Sequence, residues 1–281
     1  MVNYTARELK IVIPQWNRAR RKNRILLLVE GNFDKAFFSS FLKSSRDVFD
    51  VLGLDHEKGR SNKEDVISFV NKSEHSAIGF VDSDFDYAVD LMQDDIEKVR
   101  PYGAMILDTE KCTDLNMLII SKMNLEDYLQ KNIPDKSKIV QIVQVSRIIG
   151  VIRFFKRHYE RKNPGKILHL KFPSIHESLT ERPNKCSIND IRSILEVKSS
   201  KNSNNDFFFN KITEKKIITT LDRFTDNKLD IYSFVNGHDI TKLMKSIGGI
   251  NNINIETELR KIGEKNENLC KELYSRLISL S

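Results

Sequence analysis

Cysteine is scarce: only Cys112, Cys186 and Cys270 occur in 281 residues. Three widely separated thiols suggest neither a disulfide framework nor a four-cysteine zinc site, and a reducing cytoplasm is the expected compartment. Long apolar runs are missing as well. The opening MVNYTARELKIVIPQ has no apolar signal core, and the greasiest stretch, IVQIVQVSRIIGVIRFF, is interrupted by Gln141, Gln144, Arg147 and Arg153. A soluble chain without a membrane segment is expected. No internal repeat is evident. What the chain does have is material for a core, 40% apolar residues with 9% aromatics, and a formal charge of +7 that favours an anionic partner, nucleic acid or a membrane surface.

Two apolar runs end in acids. RILLLVEGNFDKAFF closes its run at Glu30, and SAIGFVDSDFD closes its run at Asp82, Asp84 and Asp86. The runs Ile25 to Val29 and Ala77 to Val81 are continuous rather than alternating, which predicts strands covered on both faces, as in a parallel α/β sheet. Ligands of such sheets gather at the carboxyl ends of the strands. The acidic ends are 52 residues apart (82 minus 30), room for a helix, a strand and another helix. Phe33, Phe37, Phe38, Phe41 and Leu42 fall at helical spacing after Glu30, with Asn32 as the expected cap. DVFDVLGL predicts a second strand, KEDVISFVNK a helix, AVDLMQDDIEKV a helix stopping before Pro101, and GAMILD a fourth short strand. Beyond Asp108 the pattern turns to helical periods and polar loops, EVKSSKNSNND among them. The expected architecture is an α/β domain with a parallel sheet of about four strands flanked by helices at residues 1–125, followed by a mostly helical domain at 126–281.

Clustered carboxylates suit Mg²⁺ or Mn²⁺, hard cations that accept oxygen ligands and retain waters. Asp82 and Asp84 project from the same side of an extended segment and can share an ion, with Asp86 joining if the chain stays extended. Glu30 would face them from the adjacent strand, for proton transfer or a second ion, and Asp34 is a further candidate ligand. Candidate phosphate contacts are Arg153, Arg157 and Arg161, four apart on one helical face with Lys156 beside them, and Arg60 and Lys63 around the GRSNK loop. A second basic cluster, Arg18, Arg20, Arg21, Lys22 and Arg24, leads into the first strand and is expected to place phosphate near Glu30. Plainer readings exist for each: strand-end acids cap helices, a basic helix face is usually solvated, and His238 of NGHD belongs to a turn with Asp239 capping ITKLMKSI.

A glutamate after the first strand and a DxD after a later one, here Glu30 with Asp82 and Asp84, resemble the Rossmann-like Toprim domain over residues 24 to 110. The form E-G-x-x-D, Glu30 to Asp34, resembles its nuclease branch. The chain has no place for the strand-passage domains of a topoisomerase, the zinc and polymerase-basal parts of a primase, or the four-cysteine site of the RecR type. What remains resembles a family of small bacterial proteins with a Toprim-like domain and a helical C-terminal part, the AriB-type effectors of PARIS anti-phage systems. TDLNMLI, residues 113 to 119, and NGHD, residues 236 to 239, add to the resemblance, although Asn116 stands where the family pattern usually has an acid. The resemblance implies a Mg²⁺- or Mn²⁺-dependent endonuclease with Glu30, Asp82 and Asp84 catalytic. It further implies tRNA as substrate, release from a partner ABC-type ATPase (AriA-like), and a homodimer. A DNA endonuclease of the overcoming-lysogenization-defect type and a degenerate Toprim regulatory protein remain open. The strand-borne DxD by itself also admits a phosphatase with Asp82 as nucleophile.

Overall fold

The computed structural model describes residues 24–45, 48–54, 62–72, 77–199, 201–227, 229–250 and 255–280, with a few between 5 and 12. Arg18, Arg20, Arg21, Lys22 and Arg60 lie outside the described residues. From residue 24 the elements are β1 (Ile25–Val29), α1 (Asn32–Phe41), a 3-10 turn (Leu42–Ser45), β2 (Phe49–Gly53), α2 (Asn62–Lys72), β3 (Ala77–Val81), α3 (Asp86–Met92) and β4 (Ile106–Asp108). Helices follow: α4 (Leu115–Ser121), α5 (Leu125–Asn132), α6 (Lys136–Lys162), α7 (Pro173–Glu181), α8 (Ile188–Lys198), α9 (Ser203–Lys211) and α10 (Glu214–Asp226). A 3-10 turn (Ile231–Ser233) then leads to α11 (Gly237–Ser246), α12 (Ile255–Lys265) and α13 (Glu267–Ser279).

The four strands form one parallel sheet in the order β2-β1-β3-β4, as the continuous apolar runs predict. Alternation in β1 sends Leu26 and Leu28 to one face, where they pack with Val66, Val70, Ala77, Val81 and Tyr102 under α2. Gly79 allows this closeness, since a Cβ there would lie 2.9 Å from Val66 Cγ1 and 3.2 Å from Val70 Cγ2. The phenylalanines of α1 serve the opposite face, with the Phe38 and Phe80 rings 4.7 Å apart. Burying such rings away from water contributes about 2 kcal/mol each, and this holds α1 against the sheet.

The chain groups into two compact units, Met1–Ser83 with Val99–Glu110 and Thr257–Ser281, and Asp84–Lys98 with Lys111–Glu256. Along the chain the two units alternate: α13 and most of α12 group with the sheet, and one division falls inside the Asp82-Ser83-Asp84 motif. The second unit is helical and centred on α6. Phe154, 1% exposed, packs edge-on against Phe224 at 5.1 Å, and Phe224 reaches Phe234 at 4.8 Å. At Gly150 the Phe234 carbonyl would lie 1.9 Å from an added Cβ, so only glycine permits the approach. Among the described residues no helix is long and apolar enough to cross a membrane.

Several local expectations are corrected. AVDLMQDDIEKV does not form one helix: α3 begins at Asp86 and stops at Met92, with Gln93 extended at φ −131°, ψ 109°. Asp94 and Asp95 would place negative charge at the negative end of the helix dipole, which favours termination before them. Gly31, not Asn32, occupies the N-cap of α1, without a side-chain cap bond. In EVKSSKNSNND, Asn202 accepts from the Asn205 N–H at 2.8 Å and starts α9, so much of that polar run is helical.

Candidate functional site

In the sheet unit the strand order reverses direction between β1 and β3, the point at which open parallel sheets leave a crevice beyond their carboxyl ends. Glu30 leaves β1 and Asp82 leaves β3 there. Glu30 Oε1 accepts from the Asp82 N–H at 2.7 Å, so the 52-residue separation in sequence closes to one hydrogen bond. The surrounding backbone is pinned. Asn62 Nδ2 donates to the Glu30 carbonyl at 2.6 Å. Ser83 donates its N–H to Thr109 Oγ1 at 2.8 Å and its hydroxyl to the Glu110 carbonyl at 3.0 Å, while Tyr102 Oη donates to the Ser83 carbonyl at 3.3 Å. Asp34 is buried in the first turn of α1. Lys63 is also buried, its Nζ 4.6 Å from the centre of the Tyr102 ring.

Among the described residues no three His, Cys, Asp or Glu side chains form a group arranged to hold a metal ion on their own. Glu30 and Asp82 nevertheless fit a hard divalent ion in the manner of Mg²⁺, which takes one or two carboxylates and completes its shell with water and substrate phosphate. Arg24 is not a neighbour of this end. It precedes β1 while Glu30 follows it, which puts them about 20 Å apart along the strand, and Arg24 Nε donates to Asp50 Oδ2 at 2.8 Å.

In the helical unit Asp84 has φ 49°, a left-handed conformation that costs a non-glycine residue roughly 1 kcal/mol. Asp86, fully buried, accepts from Arg157 Nε at 2.6 Å and Nη2 at 3.0 Å. Arg161 Nη1 lies 2.7 Å from Asp90 Oδ1, and Lys156 Nζ donates to both Glu160 oxygens at 2.8 Å. The four basic residues do share one side of α6, but each is joined to an acid of its own unit. Apart from Lys156 and Glu160, four apart on one helix, this ion pairing had no sequence signal: Asp86 and Arg157, for example, are 71 residues apart.

TDLN and NGHD meet in the same unit. Asp114 caps α4 by accepting from the Met117 N–H at 2.7 Å and also accepts from the Gly237 N–H at 2.8 Å. A Cβ at Gly237 would lie 2.4 Å from Asn116 Cβ. Asn116 Nδ2 is 3.4 Å from His238 Nδ1, which lies 3.0 Å from Glu256 Oε1. The hydrogen bond to His238 holds the Glu256 carboxyl below its ordinary range. Burial raises the Asp114 carboxyl, partly opposed by the charge of His238.

The cap of α11 is Asn236, accepting from the Asp239 N–H, rather than Asp239. Asp239 is instead buried against Arg153, which donates through Nε at 2.7 Å and Nη2 at 3.0 Å, and against His176 Nε2 at 3.2 Å. Burial alone would raise its carboxyl, but the charges and hydrogen bonds of Arg153 and His176 win and hold it far below the usual carboxylate range. Glu256 and His176 were not singled out by the sequence, where each is an isolated polar residue in an otherwise ordinary helical pattern; Asp114 entered only as part of TDLNMLI.

No protein-family model matches the chain, and no curated protein matches it.

Proposed function

We propose that the protein is a metal-dependent endonuclease of the Toprim-like type, with Glu30, Asp82 and Asp84 as its catalytic carboxylates. One observation carries the reading: the Glu30 carboxylate bonded to the Asp82 N–H at 2.7 Å, where β1 and β3 end side by side. A capping role alone gives no reason for two acids to converge at the switch point of a parallel sheet. When bound by Glu30 and Asp82, with Asp84 two residues on, Mg²⁺ or Mn²⁺ would supply Lewis-acid stabilisation of a phosphodiester and a more acidic water. The protein's part is orientation. The Asp82 N–H fixes Glu30 Oε1, and the three bonds to Ser83 fix the backbone on which Asp82 is carried. In this reading Asp86 serves as a structural anchor for Arg157 instead of a ligand.

tRNA as substrate, a homodimer and release from a partner ABC-type ATPase rest on the family resemblance. The test is incubation of the purified chain, alone and co-purified with a partner ATPase, with total tRNA and with plasmid DNA in Mg²⁺ or Mn²⁺. Discrete tRNA fragments that disappear in Glu30→Gln are expected. Plasmid cutting alone would reassign the substrate to DNA, and cleavage that persists in both Glu30→Gln and Asp82→Asn would refute the assignment of the centre.

A further inference from the structure

A cleft of about 720 Å³ opens in the helical unit along the amino-terminal half of α6. Ile139, Val143 and Ile148 line it from α6, recurring at helical spacing over about 14 Å of that helix, and Ile218 and Leu221 line it from α10. Two apolar side chains of the lining stand in water: Val140 is 66% exposed and Ile218 44%. Exposed apolar residues scattered singly are ordinary, but several gathered into one cleft with polar groups around them mark a contact face for another macromolecule.

The charge of this cleft runs against that of the chain. Its lining carries three carboxylates, Glu126, Asp222 and Asp230, and one cation, Arg147, a net of −2 (one minus three) in a protein of net charge +7. Among the described residues the three acids form no ion pair; Glu126 accepts from the uncharged Gln130 amide at 3.0 Å and Asp230 from the Tyr232 N–H at 3.3 Å. No bonded cation therefore cancels them. Such a face disfavours phosphate, so the nucleic acid that suits the overall charge does not suit this cleft. An apolar strip of about two and a half helical turns flanked by carboxylates instead matches a helix that presents apolar anchors at i, i+3 or i+4, and i+7 with lysine or arginine beside them. We propose that this cleft docks a basic amphipathic helix of a partner protein. The proposal stands independently of the nuclease reading, since it uses none of the strand-end carboxylates.

Fluorescence anisotropy with the full chain tests it, using two labelled probes: an amphipathic helical peptide of leucine and lysine, and one of the same spacing made of leucine and glutamate. Wild type should bind the leucine–lysine peptide at least about tenfold more tightly than the leucine–glutamate peptide. Val140→Gln/Ile218→Gln, confined to exposed side chains, should weaken that binding by about tenfold through lost apolar contact. Glu126→Gln/Asp222→Lys leaves one acid against two cations in the lining and should shift the preference toward the leucine–glutamate peptide. Absence of binding by wild type, equal affinity for the two peptides, or an affinity unchanged in either variant overturns the proposal. Self-association of the wild-type chain that Val140→Gln/Ile218→Gln abolishes, with neither peptide bound, would also overturn it and assign the face to a second copy of this chain.

Discussion

Asp239 shows how a residue's neighbours decide its role. As part of NGHD it reads as a turn or cap residue, yet its carboxylate is 1% exposed and held by Arg153 and His176. Asp239→Asn would leave Arg153 without its counter-ion at a cost of about 3 kcal/mol, the lower end for a buried pair because Arg153 keeps 25% side-chain exposure. Urea denaturation should show that loss at neutral pH. The folded carboxyl is depressed, so its contribution is present above the unfolded value of about 3.9 and disappears as pH falls toward the lower folded value. Asp114, raised by burial, contributes with the opposite sign, so the difference between wild type and Asp239→Asn isolates the Asp239 effect. That difference should shrink below about pH 4. Cys112 supplies a separate check: burial pushes its thiol up to about 12, and the native chain should leave it unalkylated at mildly alkaline pH while the unfolded chain reacts.

At the scale of elements, legibility followed the range of the interaction that builds each one. β1 and β3 were readable because burial on both faces writes an uninterrupted apolar run, and α1 because Phe33, Phe37, Phe38 and Phe41 repeat at helical spacing. Ends were less readable, since Gly31 in place of Asn32 and the stop at Met92 depend on local competition between cap, dipole and packing. The joining of TDLN with NGHD was not readable at all, being a contact across more than a hundred residues with no periodic trace. It hinges on Gly237, where an added Cβ would meet Asn116 Cβ at 2.4 Å, Asp114 Oδ1 at 2.7 Å and the Met117 nitrogen at 2.9 Å. Gly237→Ala should therefore destabilise the protein by about 1–3 kcal/mol, the usual range for overpacking, and lower the calorimetric transition temperature.

For the molecule as a whole, the charge of +7 argues for an anionic partner without saying where it binds. Arg153, Lys156, Arg157 and Arg161 looked like the nucleic-acid face from their spacing, but each is joined to an acid: Lys156 to Glu160, one helical turn on and readable from the sequence, and the three arginines to distant acids that the sequence does not reveal as their partners. The acidic end was more legible: Glu30 and Asp82 both terminate apolar strands, and a sheet with parallel neighbours brings such ends together. The adjacent strands expected for Glu30 and Asp82 are found in the order β2-β1-β3-β4, where β1 pairs with β3. The central claim is that this pair carries a divalent ion, and Mn²⁺ titration of wild type against Glu30→Gln tests it without requiring an active enzyme. The account predicts binding by wild type and a weakening of at least about tenfold in the variant. Equal affinity in the two proteins would contradict it.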